Sequence, residues 1–206
     1  MSRGRPLTTQ ELPIAAAPYT VAVPTSVFGN SQACGGCLSV QCISITDGSS
    51  VAPCGTSAAP VTLLATDERP DAADGLDIGT FDTFAEIAGL STYDAGRVQY
   101  LTLSWTWVAC PPQLLDASGG IWMQAVSGSS QYYQRYSFSS YKLRLVSVLQ
   151  NGVPLARQLD STWVSNAVLT PGSLVTFILT AADGQSVKAV VADPWTANRS
   201  LGVNFS

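Results

Sequence analysis

The sequence contains no histidine. That removes His-based catalytic triads, imidazole proton shuttles and most zinc sites in one step. Charge is also scarce, at 12% Asp, Glu, Lys and Arg, so its uneven placement carries weight. Residues 1–112 hold four bases against ten acids, a net −6, and residues 113–206 hold six bases against four acids, a net +2. An acidic first half is a poor partner for nucleic acid, whose binding rests on phosphate neutralisation. The mildly basic second half suits a neutral or weakly acidic polymer better than a polyanion. No apolar run is long enough to span a bilayer, and no long amphipathic helical pattern, short repeat or low-complexity tract is present. What the chain has in quantity is Gly, Pro, Ser and Thr, the composition of a turn-rich β protein.

Five cysteines lie at positions 34, 37, 42, 54 and 110, all in the first half. A thiolate zinc site would need four of them with no histidine to help, and Cys110 is far downstream. A thioredoxin-like pair should open a helix, whereas Cys34-Gly35-Gly36-Cys37 leads into the strand-like Leu38-Ser39-Val40-Gln41-Cys42. Structural disulfides are the better reading, and they imply an oxidising, secreted setting. Met1-Ser2-Arg3-Gly4-Arg5 is basic, but no sustained apolar segment follows it as in a secretory signal. Residues 1–20 are therefore expected to be an atypical segment and the native N-terminus to be incomplete.

Two domains are expected. Residues 21–111 read as short strands with one modest helix near 81–90. Pro111-Pro112 then forms a joint, because proline restricts both itself and its predecessor. Residues 112–206 are more cleanly β. Tyr141, Leu143 and Leu145 alternate with Lys142 and Arg144, and Asn151-Gly152 separates Tyr141–Gln150 from Val153–Leu159 as a two-residue hairpin signal. A second hairpin joins Ser173–Thr180 to Ser186–Val191 around Asp183-Gly184. This spacing suggests a β-sandwich.

Two aspartates draw attention in the first half. Asp67 ends the strand-like run Val61-Thr62-Leu63-Leu64-Ala65-Thr66, before Glu68-Arg69-Pro70. Asp77 opens Gly75-Leu76-Asp77-Ile78-Gly79, ahead of Phe81, Phe84 and Ile87. Paired carboxyls on neighbouring segments are a means of presenting acid groups to a sugar chain. Plainer roles stand beside this one. Asp77 can cap the helix that follows it, Asp67 can be a turn former before Pro70, Arg69 can pair with Asp67 or Glu68 or stay solvated, and Asp71 and Asp74 read as loop charges.

From about residue 21 to its end the chain resembles the expansins. The resemblance rests on five segments in order. They are Phe28-Gly29-Asn30 with Cys34 through Cys42; Val61 through Pro70; Leu76-Asp77-Ile78 with Phe84 and Ile87-Ala88; Leu101 through Val108 closed by Cys110; and Leu174 through Lys188. The resemblance implies an all-β fold, a six-stranded double-psi β-barrel followed by an immunoglobulin-like β-sandwich that binds carbohydrate. By this reading the barrel lacks its first strand. The resemblance pairs Cys37 with Cys110 and Cys42 with Cys54, and it places the partner of Cys34 in the family's first barrel segment, upstream of anything matched.

The function implied is non-hydrolytic loosening of the cell wall, by a secreted monomer whose partner is cellulose or a related glucan. No nucleic acid, membrane span, metal or organic cofactor is implied. Asp77 takes the acid-like position and Asp67 the supporting one. The histidine expected two residues before the acid is Gly75. Tyr132 and Tyr133 fall where the sandwich's first two sugar-stacking aromatics are expected. The third position is near Ser161, with Trp163 two residues on as a substitute or a core residue. Adjacent tyrosines on a regular strand would face opposite ways, while Trp105, Trp107, Trp122 and Trp195 read as core or interdomain packing. The alternatives are an inverting endoglucanase-like hydrolase and a non-catalytic polysaccharide-binding or matrix protein.

Overall fold

The computed structural model describes residues 19–29, 31–70 and 75–206, so most of the expected N-terminal segment, together with Asp71 and Asp74, lies outside the described residues. The first body is built from β1 (Thr20–Pro24), β2 (Cys37–Asp47), β3 (Ser50–Pro53), β4 (Val61–Arg69), β5 (Asp77–Ile78) and β6 (Tyr100–Val108). Three helices accompany them: α1 (Thr25–Phe28), α2 (Phe81–Ala88) and α3 (Thr92–Ala95). The strands form one sheet in the order β3-β2-β4-β1-β5, with β6 on the other edge of β2. β1 runs parallel to β4; the remaining ladders are antiparallel.

Among the described residues six strands are thus present, beginning with Thr20–Pro24. Among the described residues no ladder joins β5 to β6, and the sheet is open there. Its inner face is Val21, Val23, Leu38, Val40 and Leu63, all essentially inaccessible. The disulfides Cys37–Cys110 and Cys42–Cys54 are both formed. Their closed loops are worth about 4 and 3 kcal/mol respectively by loop entropy. Cys34 Sγ lies in the same core, 3.8 Å from the Thr66 carbonyl oxygen.

The second body has two antiparallel sheets. One contains β9 (Leu145–Gln150), β10 (Val153–Pro154), β13 (Leu174–Ala181) and β14 (Ser186–Ala192). The other contains β7 (Trp122–Ala125), β8 (Gln134–Ser139), β11 (Ala156–Arg157), β12 (Trp163–Ser165) and β15 (Asn198–Ser200). Tyr136, Phe138 and Phe177 interlock between them. Both expected hairpins form, with Asn151 at φ 50° and Gly152 at φ 82° turning the chain between β9 and β10. The strand expected over Tyr141–Gln150 begins only at Leu145, and Tyr141, buried in the sandwich core, also meets the barrel.

That meeting is close. Tyr141 donates its hydroxyl to the Cys34 carbonyl against Gly35, where an added Cβ would lie 2.1 Å from the phenolic oxygen. Cys110 N donates to Lys142 O at 2.7 Å. Arg157 donates to Ser31 O, Ser31 Oγ and Leu145 O at 2.5, 3.0 and 2.8 Å. Burial pushes the Arg157 pKa down and the Tyr141 pKa up, each disfavouring its charged form. Among the described residues no helix is long and apolar enough to cross a membrane.

Candidate functional site

Where β5 and β6 fail to pair, the barrel surface opens into a trough of about 520 Å³. One wall is the β5–α2 segment, with Leu76, Asp77, Ile78, Phe81 and Phe84. The other is β6, with Tyr100, Leu101, Leu103 and Trp105, and Arg69 closes the end of β4. Trp105 is 36% exposed and lines this trough, which corrects its reading as core or interdomain packing. Tyr100 and Gln99 were not singled out from sequence. The alternation Leu101, Leu103, Trp105 gives one apolar face of β6 but not that this face is uncovered.

Asp77 is exposed on the trough's rim. It does not cap α2. That position belongs to Thr80, whose Oγ1 accepts from Thr83 N at 3.3 Å. Asp67 is half-buried and is not part of the trough lining. It accepts from Glu68 N at 2.8 Å, a local bond in keeping with its plainer role. The two aspartates are nevertheless linked through β1. Ala22 is in register with Asp67 on one side and Asp77 on the other. Register partners share a sheet face, so both side chains project on the side away from Val21 and Val23, with Cα atoms about 10 Å apart across two strand spacings. Arg69 pairs with neither Asp67 nor Glu68 and instead donates to Leu76 O at 3.4 Å; the one ion pair among the described residues is Arg135–Asp160.

Chemically, the trough offers apolar and aromatic walls with a carboxylate and a guanidinium at its rim. Sugar rings stack their C–H faces on aromatic π-systems and direct hydroxyls sideways to polar groups. Asp77 is the only carboxylate among the described lining residues. Inverting hydrolysis needs two carboxyls flanking the scissile bond, with room for water.

On the sandwich, Tyr132 and Tyr133 are 62% and 41% exposed. Both face solvent because they precede β8 in a turn, where the backbone N–H groups of both reach Ser130 Oγ at 3.3 Å. The two-faced alternation expected of a strand therefore does not apply. Trp163 is a correction. It is 3% exposed, because β12 turns Trp163 and Ser165 inward and Val164 outward, and the Arg157 guanidinium covers its ring at 5.0 Å. It cannot serve as a sugar platform. Trp122 is only half-buried, with its indole N–H donated to Asn198 Oδ1 at 3.0 Å. Trp107 packs beneath Arg144 at the domain junction.

No family model matches the sequence, and no curated protein matches it. Solved structures do. The apo crystal structure of Clavibacter michiganensis expansin superposes with a TM-score of 0.62 at 19% identity, covering 84% of this chain and 74% of that one. A mutant of the same expansin in complex with cellohexaose superposes with a TM-score of 0.61 at 18% identity, covering 91% and 77%. The chain has the expansin fold. The expansin-like barrel and sandwich expected from the sequence are therefore both present, and the trough and the Tyr132–Tyr133 turn are features of this chain's version of that fold.

Proposed function

We propose that this protein acts outside the cell on wall glucan, binding it through the barrel trough and the exposed Tyr132 and Tyr133, and loosening glucan–glucan contacts without hydrolysis. The observation that carries this reading is the trough itself, which is aromatic on both walls and edged by Asp77. The complex of a fold neighbour with cellohexaose supports the choice of ligand. Hydrogen bonds between glucan chains are worth about 1 kcal/mol net each. A carboxyl at Asp77 that engages a glucan hydroxyl competes with one of them at a time, so stressed chains slip stepwise. Asp77 is exposed rather than held against apolar side chains, so it acts in this reading as a solvated hydrogen-bonding group.

The hydrolytic alternative draws on Asp67 and Asp77 facing the same way across β1, but Asp77 is the only carboxylate among the described lining residues. Constant-load extension of heat-inactivated wall strips tests the proposal, with reducing-sugar release measured in parallel. Wild type should produce creep with no sugar release, and Asp77→Asn should lower creep severalfold. Full creep with Asp77→Asn removes Asp77 from the mechanism, and sugar release that depends on Asp67 and Asp77 replaces loosening with hydrolysis.

A further inference from the structure

Tyr133 borders a second depression, of about 480 Å³, on the outer face of the five-stranded sheet. Its other lining residues are Arg135, Gln158, Leu159, Asp160 and Val164. Arg135 sits outward on β8, in register with the outward Val164 of β12. Asp160 comes from the tight connection between β11 and β12. That turn is closed by Gln158 N donating to Thr162 O at 2.8 Å and Ser161 N to Gln158 O at 3.1 Å, with Ser161 at φ 65°.

Arg135 Nη2 pairs with Asp160 Oδ2. Thr162, 4% exposed, locks the pair from beneath. Its Oγ1 donates to Asp160 Oδ1 at 2.6 Å and accepts from Arg135 Nε at 2.9 Å, and its N–H donates to Asp160 Oδ1 at 3.2 Å. The two charged side chains still keep 31% and 25% of their surface open, and Arg135 Nη1 has no acceptor among the described residues.

An ordinary surface ion pair contributes little and is loosely held. This one is fixed by three further hydrogen bonds at the foot of an aromatic wall. A guanidinium beside a carboxylate presents a donor next to an acceptor, which is what two neighbouring ring hydroxyls require: one accepts from Arg135 while the other donates to Asp160. The charges offset each other, so the site favours a neutral sugar over a uronic acid.

We propose that this depression is a built subsite for one ring of a neutral glycan, in which Tyr133 stacks on the ring face and the Arg135–Asp160 pair reads its hydroxyls. This rests on the polysaccharide-binding reading above and adds to it. The sandwich then recognises hydroxyl pattern as well as a flat ring surface. Ser31 Oγ of the barrel donates to Gln158 O at 2.9 Å, which puts the subsite at the junction of the two bodies.

Titration calorimetry with cellohexaose and with its O-methylated counterpart, which keeps the rings but loses the hydroxyl donors, tests this. Wild type should bind cellohexaose about tenfold more tightly than the methylated form, the size expected for a hydrogen bond to a charged group. Arg135→Met should weaken cellohexaose binding, and the near-isosteric Asp160→Asn should weaken it and also shrink that ratio toward one, while Tyr133→Ala should weaken both ligands alike. Asp160→Asn carries the test if Arg135→Met does not fold. Wild type binding the two ligands equally overturns the subsite. So do Arg135→Met and Asp160→Asn variants that bind as wild type while Tyr133→Ala does not, and in that case polysaccharide binding through Tyr133 still stands. No binding of either glucan by the wild type overturns both readings.

Discussion

Strands β6 and β13 look alike as sequence and end up in opposite circumstances. In β13, Val175, Phe177, Leu179 and Ala181 alternate with outward residues, and all four are at most 1% exposed. In β6, Leu101, Leu103, Trp105 and Trp107 alternate with Thr102, Ser104 and Thr106, yet each is only half-buried or exposed. The difference is the neighbours. β13 is laddered on both edges, to β9 and β14, whereas among the described residues β6 is laddered only to β2. Period two identifies a strand's apolar face but does not reveal whether the fold covers it. Where β6 has no second partner among the described residues, its apolar face becomes the wall of the trough.

The sharpest way to break this comparison is to release the barrel while leaving the sandwich alone. Cys37 opens β2, Cys110 follows β6, and their bridge spans 73 residues. Replacing both by alanine should cost about 4 kcal/mol, and calorimetry should show the barrel melting in a separate, lower transition. One unchanged transition would mean that the bridge does not hold β6 in place. A finer test compares matched truncations. Leu179→Ala should cost about 3 kcal/mol, as for a fully enclosed leucine, and Leu103→Ala roughly half of that. Equal costs by chemical denaturation would mean that β6 is enclosed as well as β13 is.

Much of the fold was legible, for local reasons. Asn151-Gly152 adopts the positive φ angles that such a pair accepts readily, so the β9–β10 hairpin follows from two residues. The disulfide pairing came from the resemblance, since spacing alone leaves several pairings open. The site was less legible because burial is a tertiary property. Trp163 and Tyr133 are both aromatics at strand starts, yet one begins β12 and fills the core under Arg157 while the other stands in the turn before β8. The cap of α2 passed to Thr80 because the helix starts three residues later than Asp77 would need. Arg135 and Asp160 lie 25 residues apart in sequence and meet only through the β8–β12 register, so no local pattern announced them.

The most direct check is an amide chemical-shift map of the intact protein titrated with cellohexaose. Binding in the trough and beside Tyr133 should move amides of residues 75–81 and 99–105 on the barrel and of 131–135 and 158–164 on the sandwich. Saturable binding that leaves all four stretches unmoved, with shifts confined to other surfaces, would contradict the placement of glucan in the trough and along Tyr133.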